Sequence, residues 1–181
     1  SHDRVRILTE LADAPEAVKW RLEDESCWLS EDESRLTASG ISRYDAIKEC
    51  FTIPDDKKWM AKSRLKAVSM MQFVMPGVPC IYYGDEAGMQ GFEDPYNRGT
   101  YPWGREDEEL LSHYRFLGHL RKDYPVLVDG SFRAFALSDH VICIERGNAS
   151  EHMWLIVNRG IFEWETVELA PLTQHSGGAE G

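Results

Sequence analysis

Two long segments carry apolar residues at helical spacing between charged ends. The first begins at Asp55-Asp56 and ends before Pro76-Gly77, and the second covers Asp107 to Lys122. Acidic residues at the start of a helix and basic residues at its end suit the helix dipole, so both segments are predicted helices. Residues 4–11 predict a third, short helix. The apolar residues expected to face inward on the first helix are Trp59, Met60, Leu65, Val68, Met71 and Phe73.

The run Val78–Tyr83 between these two helices is apolar at nearly every position. Continuous apolar character, rather than alternation, predicts a strand buried on both faces of a parallel sheet. Cys80 lies within this run and is therefore expected to be buried. A polar, glycine-bearing loop follows, and then the second helix. Helix, strand, loop and helix in this order are typical of a β/α unit.

The pattern changes after residue 125, where short runs rich in β-branched and aromatic residues alternate with turn signals. They predict an antiparallel sheet or half of a sandwich, with Cys143 buried, and a domain boundary near Asp123–Val126. The tail, residues 173–181, has almost no apolar content and is expected to be disordered. The four predicted strands are Phe132–Leu137, Val141–Arg146, Met153–Asn158 and Thr166–Leu169.

Composition limits the classes of function. The chain has 181 residues and a formal charge of −11, from 31 acidic and 20 basic residues. This charge argues against nucleic acid and is compatible with a neutral substrate. No apolar run approaches the roughly 18 residues of a membrane span. Residues 12–50 have a strongly acidic centre and are interpreted as an exposed surface loop, with a substrate-facing lid as the alternative. The cysteines and histidines lack metal-ligand spacing, so no metal site is indicated.

The loop after Tyr83 carries the groups that recognise a sugar: charged hydrogen-bonding side chains and flat aromatic rings. Asp94 and Arg98 are candidate sugar ligands, with a surface salt bridge as the alternative. For Trp103, sugar stacking and packing are equally open. Asp85 and Glu86 follow directly on the predicted strand, where hydrogen bonds that fix the loop are the preferred interpretation.

Several of these sequences together resemble the α-amylase superfamily, glycoside hydrolase family thirteen. They are Val-Pro-Cys-Ile-Tyr-Tyr-Gly-Asp-Glu-Ala-Gly-Met at 78–89, Asp-Pro-Tyr-Asn-Arg at 94–98, Tyr-Pro-Trp at 101–103 and Ser-His-Asp at 1–3. The subgroup they are similar to is that of neopullulanases, cyclomaltodextrinases and pullulanases. The resemblance implies an α/β plus all-β fold. Residues 1–125 would be the C-terminal end of a (β/α)8 barrel around strands 7–8, and 126–172 an antiparallel β-sandwich, domain C.

The resemblance also implies roles for individual residues. Asp3 would stabilise the transition state, and His2, Asp94, Arg98 and Trp103 would bind the α-glucan or maltooligosaccharide. A complete barrel takes roughly 250 residues, and the family's nucleophile and general acid come from strands four and five, which this chain lacks. The parent would therefore be an α-glucan-cleaving retaining hydrolase, and the chain alone would be inactive. An expression-tag remnant is the alternative origin of Ser1 and His2.

Other interpretations stay open at this point. One is a non-catalytic α-amylase-like relative, such as the accessory subunits of amino-acid transporters. Another is a carbohydrate-binding or interaction module built on the β segment, with Trp154 and Trp164 as stacking rings. The sequence requires no cofactor, and calcium is compatible but not indicated. Free cysteines and the subgroup favour the cytoplasm. Exposed barrel edges in residues 65–90 predict self-association, with a loosely ordered N-terminal half attached to a better-ordered β end as the alternative.

Overall fold

The computed structural model describes residues 4–13, 52–92, 94, 96–160 and 166. The acidic segment, the His2-Asp3 pair, the predicted tail and most of the fourth predicted strand lie outside the described residues. The elements in chain order are α1 (Ile7–Leu11), α2 (Asp55–Val74), α3 (Glu108–Asp123), α4 (Val126–Asp129), β1 (Ser131–Ala136), β2 (Val141–Gly147) and β3 (His152–Asn158).

The two long predicted helices are confirmed, with boundaries close to those expected. The first turn of α2 holds Asp55 and Asp56, and α3 ends with Arg121 and Lys122 in its last turn. Each end charge therefore complements the exposed backbone groups of the helix terminus. The predicted helix over residues 4–11 is shorter in the structure, where α1 covers Ile7–Leu11.

The predicted buried face of α2 is correct at some positions and wrong at others. Leu65 and Phe73 are buried, whereas Trp59 is 54% exposed and Val68 is 40% exposed. The buried side chains follow each other at a spacing of four, which is the period of a single helix face. Trp59 and Val68 lie off that face. The buried residues of this stripe are Ala61, Leu65, Ser69 and Phe73.

The predicted strand Val78–Tyr83 is wrong. The structure has no strand over these residues, Val78 is 92% exposed, and Cys80 is exposed rather than buried. A strand needs a neighbour that pairs with its backbone N–H and C=O groups. In the described part of the chain, every strand lies beyond residue 130 and pairs within one sheet, so no partner is available here. The apolar character of Val78–Tyr83 predicted that these side chains are buried, but burial also requires other residues that cover them.

The antiparallel sheet is confirmed for its first three strands. The strand order is β1-β2-β3, with Phe135 opposite Cys143 and Cys143 opposite Ile156. The central strand β2 is the most buried of the three, and Cys143 is fully buried as expected. The second sheet of a sandwich stays a prediction.

Contacts group the chain into two compact units. The first unit comprises Ser1–Lys66 and Cys80–Arg115, and the second comprises Ala67–Pro79 and Phe116–Gly181. The predicted division into 1–125, 126–172 and 173–181 stays a prediction. The core of the first unit is formed by Leu8, Ala12, Ile53, Ala61, Leu65 and Leu110, and that of the second by Val74, Val126, Leu127 and Ile144.

A fully buried arginine on β2 organises the second unit. The guanidinium of Arg146 donates hydrogen bonds to the carbonyl oxygens of Val74 (2.6 Å) and Leu127 (2.9 Å). It also donates to the carbonyl oxygens of Gly130 (2.8 Å) and Ser131 (2.9 Å). In these contacts the guanidinium of Arg146 pairs with backbone carbonyl groups rather than with an anion. One of them is the carbonyl group of Val74, the last residue of α2.

Candidate functional site

The candidate site lies in the first unit and is built around a buried arginine next to α1. Arg6 is 1% exposed. Its Nε donates to the carbonyl oxygen of Asn97 (2.9 Å), and its Nη1 donates to that of Tyr83 (2.7 Å) and to Oδ1 of Asp85 (3.3 Å). Its backbone N–H donates to the carbonyl oxygen of Gly91 (3.0 Å). A single side chain and its own backbone thus bind both ends of the loop that follows Tyr83.

Two tyrosine rings cover the same guanidinium. The Arg6 Cζ atom lies 4.7 Å from the ring centre of Tyr82 and 4.8 Å from that of Tyr83. Both distances are within the range of cation–π attraction. The Tyr83 hydroxyl donates to the carbonyl oxygen of Gly99 (2.8 Å). The tyrosines, predicted as part of a strand, instead cover Arg6 and connect it to the segment around residue 99.

Asp85 is the one carboxylate paired directly with Arg6 among the described residues. Burial raises the pKa of Asp85 from its ordinary value of 3.8 to about 6, and the Arg6 guanidinium opposes part of that rise. The effect of burial therefore exceeds that of the ion pair on this group. At neutral pH most molecules still carry the ionised carboxylate beside Arg6.

Glu86 fixes the tight turn next to Asp85. Its Oε2 accepts a hydrogen bond from the backbone N–H of Gly84 (2.8 Å). Gly84 has a φ of +87°, and a Cβ there would lie 2.1 Å from Sδ of Met89, so any other residue would be strained and would displace Met89. Burial and the nearby Glu86 raise the pKa of Tyr101. Asp85 and Glu86 therefore make the loop-fixing contacts that the sequence predicted.

Asp94 and Arg98 form an ion pair at the surface of the first unit. Arg98 Nε lies 2.8 Å from Asp94 Oδ1, and the two side chains are 51% (Asp94) and 49% (Arg98) exposed. Next to them, the side-chain amide of Asn97 donates to the carbonyl oxygen of Arg4 (2.9 Å). Half of each charged side chain is thus accessible to a ligand, while the backbone beside it is held by buried hydrogen bonds.

Trp103 is 80% exposed. Its ring lies 4.5 Å from that of Tyr101 at an angle of 48°. A side chain that packs in a core is not exposed to this extent, so packing does not explain this tryptophan. An exposed ring held on one side by another ring is a suitable surface for a flat apolar ligand face.

The structure thus brings three of the five predicted site residues, Asp94, Arg98 and Trp103, into the first unit. His2 and Asp3 lie outside the described residues, so their roles stay predictions. Sequence reasoning missed Arg6 as an organising residue. The signal for it was available: an arginine between Val5 and the apolar residues after it is a charge within a buried segment.

Two other kinds of feature, a metal-binding cluster and a membrane-spanning helix, are absent from the described residues. In residues 4–13, 52–92, 94, 96–160 and 166, no group of three or more His, Cys, Asp or Glu side chains is arranged to hold a metal ion. In that same part of the chain, no helix is long and apolar enough to cross a membrane.

Comparison with known proteins gives a consistent result. The family model of the α-amylase catalytic domain matches residues 33–104, which include Asp94, Arg98 and Trp103. Over 111 residues, 61% of this chain, the sequence is 40% identical to an amylopullulanase of Thermoanaerobacter thermohydrosulfuricus. Part of the chain is thus similar to the catalytic domain of α-amylases. It is also 35% identical over 100 residues to a cyclomaltodextrinase of Geobacillus thermopakistaniensis.

Solved structures of related glycoside hydrolases resemble part of the chain as well. A cyclic α-maltosyl-(1→6)-maltose hydrolase from Arthrobacter globiformis has a TM-score of 0.54 and 31% identity, covering 58% of this chain and 24% of that enzyme. A maltogenic amylase from S. marinus has a TM-score of 0.52 and 33% identity, covering 56% of this chain and 16% of that enzyme. The chain spans only 7% of the amylopullulanase and 17% of the cyclomaltodextrinase.

Proposed function

We propose that this chain belongs to the α-amylase family and is the C-terminal part of a retaining hydrolase that cleaves α-glucans. In this proposal, residues 1–125 complete the (β/α)8 barrel and residues 126–172 form domain C. The observation that carries the proposal is the half-exposed Asp94–Arg98 ion pair, in the region that matches the α-amylase catalytic domain. The names of the relatives, an amylopullulanase and a cyclomaltodextrinase, support an α-glucan as the substrate.

The chemistry assigns a separate task to each residue. Asp94 and Arg98 form charge-assisted hydrogen bonds with glucose hydroxyls, which are stronger than neutral ones. Trp103 offers its exposed ring to the apolar face of a pyranose. Asp3 stabilises positive charge that develops on the sugar ring in the transition state, and His2 bonds the sugar beside it. The cytoplasm is the proposed location.

This division of tasks also limits what the chain does alone. A retaining glycosidase needs a nucleophilic carboxylate and a general acid about 5–5.5 Å apart. In the proposal both come from barrel strands four and five of the longer protein. In the proposal, the 181 residues therefore supply substrate binding and transition-state charge stabilisation, and other strands of the longer protein supply the bond-breaking pair.

The test is steady-state kinetics of the longer protein with maltotriose. Asp3→Asn is expected to lower kcat by several orders of magnitude with little change in KM, because it removes an interaction made in the transition state. Arg98→Ala is expected mainly to raise KM, because it removes binding made equally in the ground state. Near-native kcat in Asp3→Asn would show that the His-Asp assignment is wrong.

A further inference from the structure

Arg6 contacts the candidate sugar-binding loop at positions far apart in sequence. Its side chain donates to the carbonyl oxygens of Tyr83 (2.7 Å) and Asn97 (2.9 Å), and its backbone N–H donates to that of Gly91 (3.0 Å). The guanidinium is buried and has two tyrosine rings against it. These bonds fix where the loop leaves Tyr83 and where it returns at Asn97.

Asn97, where the loop returns, directly precedes Arg98 in the chain. Asn97 is bound twice by the segment next to α1: its carbonyl oxygen accepts from Arg6, and its side-chain amide donates to the carbonyl oxygen of Arg4 (2.9 Å). Asn97 is itself fully buried, whereas Arg98 is half exposed. The backbone position of Arg98 therefore depends on Arg6, and the exposed ion pair of Arg98 with Asp94 depends on it in turn.

We infer that Arg6 is a positioning residue, which holds Arg98 and its partner Asp94 in the geometry that binds glucose hydroxyls. The inference rests on the proposed function of Asp94 and Arg98. Arg6 does not itself touch the sugar in this account. It acts through Asn97, and the loss of one of its bonds would displace the ion pair rather than remove it.

Lysine cannot replace arginine at this position. The planar guanidinium donates in several directions at once and stacks on rings, whereas lysine offers one compact ammonium. A lysine at position 6 keeps the positive charge near Asp85 but cannot bond both Tyr83 and Asn97 across the same distance. Arg6→Lys therefore separates the positioning role from simple charge.

The experiment is a double-mutant cycle on the longer protein with maltotriose. Arg6→Lys is expected to raise KM about tenfold, the loss typical of a hydrogen bond to a charged group, with kcat changed by less than about twofold. In the Arg98→Ala background, Arg6→Lys is expected to raise KM by less than about twofold, since residues that act through one another are not additive. Equal effects of Arg6→Lys in both backgrounds, or a fall in kcat without a rise in KM, would overturn the inference.

Arg146→Lys is the matched control, because Arg146 is also buried and bonded to backbone carbonyls but lies in the second unit. It is expected to lower thermal stability and to leave KM unchanged, and a KM rise equal to that of Arg6→Lys would overturn the inference.

Hydrogen exchange provides a readout that needs no sugar: Arg6→Lys is expected to speed exchange of residues 83–92 and 96–99, and Arg146→Lys is not. Unchanged exchange there in Arg6→Lys would also overturn it. If Arg98→Ala alone leaves KM unchanged, the proposed function fails instead.

Discussion

At the scale of single residues, Asp85 combines two opposing effects on one carboxyl group. Its side chain is 13% exposed and lies 3.3 Å from the Arg6 guanidinium. Burial raises its pKa to about 6 although Arg6 works in the other direction. A group whose pKa is raised in the folded state holds its proton more tightly there than in the unfolded chain. Its contribution to stability is therefore complete at low pH and is lost as the pH rises through about 6.

Asp85→Asn tests this directly, because asparagine keeps the shape of the side chain and does not ionise. Relative to the wild type, the free energy of unfolding of Asp85→Asn is expected to increase by about 1–3 kcal/mol between pH 4 and pH 7. Urea unfolding at four pH values in this range measures it. A difference that stays constant, or that falls with rising pH, would contradict the assigned environment.

Asp55→Asn is the control for this prediction. Asp55 is an exposed carboxylate whose hydrogen bond with Lys58 lowers its pKa. Its contribution to stability is present above the ordinary pKa and is lost only in more acidic solution. Asp55→Asn is therefore expected to show no comparable increase between pH 4 and pH 7.

At the scale of elements, α2 allows the contributions of buried and exposed side chains to the free energy of unfolding to be compared. Leu65 is 1% exposed and belongs to the core of the first unit, whereas Val68, one turn further along, is 40% exposed. Leu65→Ala is expected to lower the free energy of unfolding by about 2–5 kcal/mol, because it leaves a cavity in a close-packed core. Val68→Ala is expected to cost less than about 1 kcal/mol. Equal losses in the two variants, measured by urea unfolding, would show that the buried face of α2 is assigned incorrectly.

The helices and the β1-β2-β3 sheet were predictable because their signals are local. End charges mark α2 and α3, and turn residues separate the strands, so the predicted boundaries agree with the structure to within a few residues. The prediction of a strand over Val78–Tyr83 was wrong because strand formation requires a partner strand, which the described residues do not provide. The apolar pattern of these residues is typical of a strand that is buried within a complete sheet, whereas in this chain Val78 is exposed.

The sequence selects Asp94, Arg98 and Trp103 because they belong to a compact motif. The structure places all three on the exposed surface of the first unit, and their role in binding a sugar stays a prediction. The hydrogen-bond partners of Arg6 could not be identified from sequence, because they lie 77 to 91 residues away. Non-local hydrogen bonds of this kind are decided by the fold and leave only a weak local signal.

At the scale of the whole molecule, the proposed function separates substrate binding from catalysis. The chain alone is expected not to hydrolyse maltotriose, pullulan or a nitrophenyl maltoside, because the proposed function assigns the nucleophile and the general acid to strands of the longer protein. Release of reducing sugar, measured over hours with purified protein, checks this. Turnover that follows the protein through several purification steps would contradict the proposed division.

Self-association through residues 65–90 also stays a prediction at this scale. Val78, Ile81 and Tyr83 are exposed apolar or aromatic side chains within this range, and exposed apolar surface of this kind favours contact with another chain. Light scattering over a range of concentrations would measure it. A monomer with strongly protected amides in residues 65–90 would contradict it.

The proposed function depends above all on the binding of an α-glucan by Asp94 and Arg98. Isothermal titration of maltotriose into the longer protein tests it most directly, with Asp3→Asn present in every sample so that the ligand is not consumed. Adding Arg98→Ala is expected to raise Kd about tenfold. Adding Arg133→Ala, which removes an ion pair with Glu145 in the second unit, is expected to leave Kd unchanged. Equal Kd values for all three proteins would contradict the account.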